Sequence, residues 1–126
     1  MKQKKAVVSS KTLAPVGPYS SALDLGDLFF ISGQLGANPD KSMPEDVCAQ
    51  AELSLKAIKA LLEEAGLSMD HVIKCTVFLT DIADFAAVNK IYASYFPNAP
   101  YPTRSAFQVA ALPMGAKIEI EAIALR

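Results

Sequence analysis

"RSAFQVAALPMGAKIEIEAIAL" runs from Arg104 to Leu125, and its reading decides the fold. Two alternating runs flank a loop containing Pro113 and Gly115, the pattern of two β-strands joined by a turn. Alternation assigns faces. On the first run Arg104, Ala106, Gln108 and Ala110 point one way, and Thr103, Ser105, Phe107 and Val109 the other. On the second, Ile118, Ile120, Ala122 and Ala124 share a face, opposite Lys117, Glu119, Glu121 and Ile123. Arg104 and Glu119 then admit two readings. They form a cross-strand ion pair, or the arginine is an anion site, since a guanidinium fork binds a carboxylate with two parallel hydrogen bonds.

Working outward, "HVIKCTVFLT" also alternates and reads as a strand, with Ile73, Cys75, Val77 and Leu79 on one face and Lys74 and Thr76 on the other. "DIADFAAVNKIYASYF" reads as a helix capped by Asp81 or Asp84, with Phe85, Val88, Tyr92 and Tyr95 along its buried side. The prolines of "PNAPYP" end it. Upstream, Ser42 and Glu45 have capping-box spacing and Pro44 suits a first helical turn. A helix follows to about Ala65, stopped by Gly66, with Ala51, Leu55, Ile58 and Leu62 as its apolar stripe. "KKAVVSS" and Leu28 to Ile31 read as the first strands, with a turn at Gly26 between Asp24 and Asp27.

Strands outnumber helices, which argues an α+β fold: one sheet with two helices covering one face. The other face is expected to carry Lys74, Thr76, Arg104, Gln108 and Glu119 among apolar neighbours. Such a mixed surface suits burial against another subunit, with charged groups lining a cleft.

Bulk properties narrow the function. The chain has 126 residues, which fits one domain spanning 1–126. Hydrophobic residues make up 52% of it. That excess is high for a lone soluble domain and favours an oligomer. The net charge is -1. The only clustered bases, Lys2, Lys4 and Lys5, read as a solubilising tail, so nucleic acid is not an expected partner. No apolar run approaches the roughly 18 residues of a membrane span. Cys48 and Cys75 form no C-x-x-C pair, which fits a reducing, cytoplasmic setting. His71 is the single histidine, so a His-rich zinc site is excluded, and any Ser-His-Asp or Cys-His arrangement would have to use it. No metal is expected.

Pro102 to Ile120 contains P-T-R-S-x-F, then A-x-L, then I-E-I. This resembles the signature of the RidA/YjgF family, the reactive-intermediate enamine/imine deaminases, whose relatives include L-PSP-type ribonucleases. "APVGPYS" around Tyr19, "FISGQLG" around Ser32 and Gly33, and "VFLTDIADFAAVNKIY" around Asn89 extend the resemblance over essentially the whole chain.

The resemblance implies a chorismate-mutase-like α+β fold, a homotrimer whose sheets form a central barrel, and clefts between subunits. It implies hydrolysis of 2-iminobutanoate or 2-iminopropanoate to 2-ketoacids and ammonia, without a metal or organic cofactor. By position, Arg104 would bind the substrate carboxylate, and Glu119 would hold the attacking water. Glu121 points to the same side, so periodicity alone does not choose between the two. Tyr19 would pack against the ligand, Ser32 and the Gly33 N–H would line the pocket, and Asn89 would shape it. Ala106 would contribute its backbone; many family members carry cysteine there, so a thiol-based redox role is not expected. The competing readings are a non-catalytic metabolite sensor in amino-acid or purine metabolism, and a translation-inhibiting endoribonuclease.

Overall fold

A computed structural model describes residues 3–126; Lys2 of the basic cluster lies outside them. The strands are β1 (Lys5–Val7), β2 (Ala22–Asp24), β3 (Leu28–Leu35), β4 (Val72–Leu79), β5 (Thr103–Gln108) and β6 (Ile118–Leu125). The helices are α1 (Val47–Glu64) and α2 (Phe85–Tyr95). The six strands form one mixed sheet in the order β1-β2-β3-β6-β4-β5, open at both ends. Only β4 and β5 pair in parallel, and α2 supplies the crossover that a parallel neighbour requires.

Both helices pack on one sheet face. On α1, Ala51, Leu55, Ile58, Leu61 and Leu62 are fully buried against β3 and β6, at the three-to-four spacing of one helical stripe. The helix begins at Asp46, not at the expected Ser42 and Glu45. Asp46 accepts from the Ala49 N–H at 2.9 Å, three residues on, as capping requires. Ser42 is instead committed to its own loop, donating its N–H to Asp40 at 2.9 Å. At the other end Gly66 takes φ 73°, and the Leu67 N–H returns to the Leu62 carbonyl, closing the helix as the sequence predicts.

The expected alternation along β4 fails at one point. A register irregularity falls between Val72 and Lys74, and it turns Ile73 outward, 41% exposed, while Val72 joins Cys75, Val77 and Leu79 in the core. An extra residue in one strand shifts every side chain before it to the other face.

The larger correction concerns β5 and β6. They are consecutive in sequence but not neighbours, because β4 lies between them. The long β6 finds antiparallel partners on both sides, β3 and β4, and buries Ile118, Ile120, Ala122 and Ala124 under the helices. β5 is left at the edge. The expected cross-strand pair of Arg104 and Glu119 therefore does not form.

Candidate active site

Arg104 stands beside Cys75 in the parallel β4–β5 register. Cys75 is fully buried beneath the helices, so Arg104 lies on the helix-covered face. The expectation that it shares the open face with Glu119 is overturned. Gln108 follows Arg104 to that face, and its side-chain oxygen accepts from the Ile82 N–H at 3.0 Å. Lys74, Thr76 and Glu119 do occupy the open face.

Around Arg104 the chain gathers one cluster of candidate site residues. Its Nη1 donates to Asn89 Oδ1 at 2.7 Å. Its guanidinium carbon lies 4.6 Å from the Tyr92 ring centroid and 5.2 Å from that of Phe85. Phe85, Asn89 and Tyr92 follow i, i+4, i+7 spacing, which places them on one side of α2. The arginine borders a cavity of about 580 Å³ lined also by Asn89, Tyr92, Phe96 and Tyr101. On its other flank a shallower depression is lined by Ile82, Phe85 and Ala106. Arg104, Asn89 and Ala106 are thus brought together.

A second cluster forms around Glu119. Tyr19, Gly33 and Glu119 line a pocket of about 190 Å³, closed by Val16, Leu35 and Met114. Gly33 leaves room for the Glu119 carboxylate: a Cβ on it would lie 2.7 Å from the Glu119 Cδ and 2.9 Å from Oε1. Burial, with the charge of Glu121 as a smaller contributor, pushes the Glu119 carboxyl above its ordinary value. Tyr19 is half-exposed, and its hydroxyl accepts from the Val16 N–H at 3.4 Å. Ser32 precedes Gly33 and donates its hydroxyl to the Ser20 carbonyl at 2.6 Å. That bond ties the Tyr19 segment to β3.

His71 plays a local part. It closes a single turn in which its Nδ1 accepts from the Ser68 N–H at 3.1 Å.

The comparisons with known proteins bear on this layout. Residues 9–126 match the family model described as Endoribonuclease L-PSP. This chain belongs to that family, the RidA/YjgF family. Among its relatives, the 2-iminobutanoate/2-iminopropanoate deaminase of Escherichia coli (strain K12) is 46% identical, over 97% of this chain and 98% of that protein. The crystal structure of Escherichia coli TdcF with bound serine has a TM-score of 0.94 and 47% identity, covering 98% of this chain and 99% of that one. The Escherichia coli YjgF gene product has a TM-score of 0.92 and 46% identity, with 97% and 98% covered. The RidA/YjgF fold is thus an α+β sheet of six strands with two helices.

Two residues of the Arg104 cluster are not legible as site residues in the sequence. Phe85 and Tyr92 read there as core, because ring-to-guanidinium contact depends on which strand α2 covers. Their helical spacing with Asn89 was the signal available.

Proposed function

We propose that this RidA/YjgF protein hydrolyses 2-imino acids, 2-iminobutanoate and 2-iminopropanoate, to 2-ketoacids and ammonia. The site is completed between subunits of a homotrimer, with Arg104 from one copy and Glu119 from the next. The observation that carries the reading is the separation of these two groups. They lie on opposite sheet faces with β4 between them, so one chain alone cannot offer both to one small substrate.

The open sheet face supports the assembly. Phe30 and Phe107 are 40% and 46% exposed there, and Phe107 meets Phe78 edge to face at 5.3 Å between ring centroids. Aromatic surface of this kind calls for a covering partner. The name of the Escherichia coli deaminase and the serine bound to TdcF support a small amino-acid-like ligand.

The chemistry asks little of the protein. Arg104 takes the substrate carboxylate, a charge-assisted contact contributing about 1.5–3 kcal/mol. Glu119 orients water against the imine carbon and accepts a proton as the C–O bond forms. That proton passes to nitrogen, giving a carbinolamine; a second proton moves from its new hydroxyl to nitrogen as the C–N bond breaks, so ammonia leaves and the carbonyl remains. A carboxyl whose pKa lies above the ordinary range is the better proton acceptor. Tyr19 closes one side of the ligand, and Ser32, the Gly33 N–H and the Ala106 backbone line the cleft.

The test couples a serine/threonine dehydratase to this protein and follows decay of the imine intermediate. Wild type accelerates the decay, and Arg104→Ala lowers kcat/KM roughly 10- to 150-fold. Bound 2-ketoacids without any acceleration would replace the enzyme reading with that of a metabolite sensor.

A further inference from the structure

Arg104 sits on the edge strand β5 and is largely solvent-accessible. A free arginine side chain carries about 2 kcal/mol of rotamer entropy, which ligand binding would have to remove. Three side chains of α2 already restrict it. Asn89 accepts one N–H of Nη1, and the Phe85 and Tyr92 rings lie against the guanidinium carbon at 5.2 and 4.6 Å. We propose that Phe85 and Tyr92 are positioning residues that pre-orient the Arg104 fork for the substrate carboxylate, a role that rests on the deaminase reading above.

The division of labour follows from guanidinium geometry. Its donors all lie in the plane of the group, and aromatic rings attract it through its faces. Ring contacts therefore immobilise the arginine without consuming a donor. Asn89 consumes one edge position. Among the described residues, Nε and Nη2 keep no other hydrogen-bond partner, and they form the edge that a carboxylate takes with two parallel bonds. Asn89 is also neutral. An acidic residue at that point would pair with the arginine and compete with the substrate; an amide oxygen holds it and leaves its charge uncompensated.

The two rings differ in kind, which makes the idea separable from simple packing. The Tyr92 hydroxyl is buried against the Cys75 thiol and makes no hydrogen bond to Arg104. The positioning thus belongs to the ring face and not to the hydroxyl. Phe at this position keeps the face; Leu keeps the apolar volume and loses it.

The experiment compares Tyr92→Phe, Tyr92→Leu and Phe85→Leu. Calorimetry gives the Kd for 2-ketobutanoate, turnover gives kcat and KM, and NMR follows the Arg104 Nε–Hε resonance. Each leucine variant should raise Kd and KM roughly 3- to 10-fold with kcat within about twofold, and Tyr92→Phe should stay within about twofold of wild type throughout. In an Arg104→Ala background the leucine substitutions should have no further effect on Kd. The ring-current shift of the Arg104 resonance should survive in Tyr92→Phe and diminish in the leucine variants. Wild-type Kd in both folded leucine variants, or an equal loss in Tyr92→Phe, overturns the proposal. If wild type itself neither binds nor turns over these acids, the deaminase reading fails. An unmoved Arg104 resonance in the leucine variants then overturns the positioning role separately.

Discussion

Gly33 on β3 and Glu119 on β6 approach so closely that the space of a missing Cβ is filled by the glutamate carboxylate. A Cβ at residue 33 would stand 2.7 Å from the Glu119 Cδ. No β-carbon tolerates that distance, so Gly33→Ala must push the carboxylate aside. The backbone at Gly33 needs no unusual conformation, so the substitution acts on position and not on folding. The expected result is a loss of kcat of roughly 100-fold, the scale of a 1 Å misplacement. The Kd for a 2-ketoacid should change much less, because Arg104 is untouched. Steady-state kinetics with calorimetry checks this, and an unchanged kcat would remove Glu119 from the chemistry.

The role proposed for Glu119 also predicts a pH dependence. Its carboxyl titrates above the ordinary value of 4.5, chiefly through burial and then through the Glu121 charge. Only the ionised form accepts a proton from water, so activity is lost as pH falls through this raised pKa. Neutralising the second cause, in Glu121→Gln, should move the acid limb of kcat/KM to lower pH. Glu119→Gln should abolish the limb along with most of the rate. Stability runs the other way. A carboxyl with a raised folded-state pKa contributes stability that is fully present below its unfolded value and lost as pH rises through the folded one. Glu119→Gln should therefore melt higher than wild type near neutral pH. A pH profile for Glu121→Gln that overlays wild type would refute the electrostatic account.

How far these features can be read from the sequence depends on the range of the interaction. Both helices and the main strands were legible, because periods of 3.6 and 2 are local properties of the chain. Within β5 the alternation was also right: Arg104, Ala106 and Gln108 do share a face. Which face it is depends on the neighbouring strand. Parallel pairing with β4 sets Arg104 beside the buried Cys75, and no pattern within Arg104–Leu125 encodes that β4 separates the two runs. Ile73 departs from its expected face for a related reason, since one bulged residue inverts the alternation without changing composition. The candidate site residues came from the family resemblance. The structure divides them into an Arg104 group and a Glu119 group.

The α1 stripe gives a prediction about stability alone. Leu55 is fully buried between the sheet and the helices, remote in sequence from every candidate site residue. Leu55→Ala removes its packing and leaves a cavity, at a cost of about 2–5 kcal/mol. Denaturant unfolding should show a lower midpoint, with kcat/KM unchanged at temperatures where the variant is folded. A loss below 1 kcal/mol would mean that the helix layer relaxes to refill the space.

The division of the site between sheet faces leads to a complementation test. Arg104→Ala keeps the Glu119 half intact, and Glu119→Gln keeps the Arg104 half. On the proposed trimer, each variant alone lacks one group in all of its clefts. Unfolded together in equal amounts and refolded, the two chains should form mixed rings. If each cleft draws its arginine from one copy and its glutamate from the next, roughly a quarter of the clefts should carry both, as random assembly of a head-to-tail ring requires. Activity should rise to about that fraction of wild type, far above either parent. The gain should vanish when Phe107→Glu is added to both chains, because a charge on that exposed aromatic face blocks assembly. Recovery of activity on refolding the mixture, absent when the parents are mixed without unfolding, would locate the chemistry between subunits. No recovery in verified mixed trimers would place both residues' functions within one chain, against the opposite-face geometry of Arg104 and Glu119.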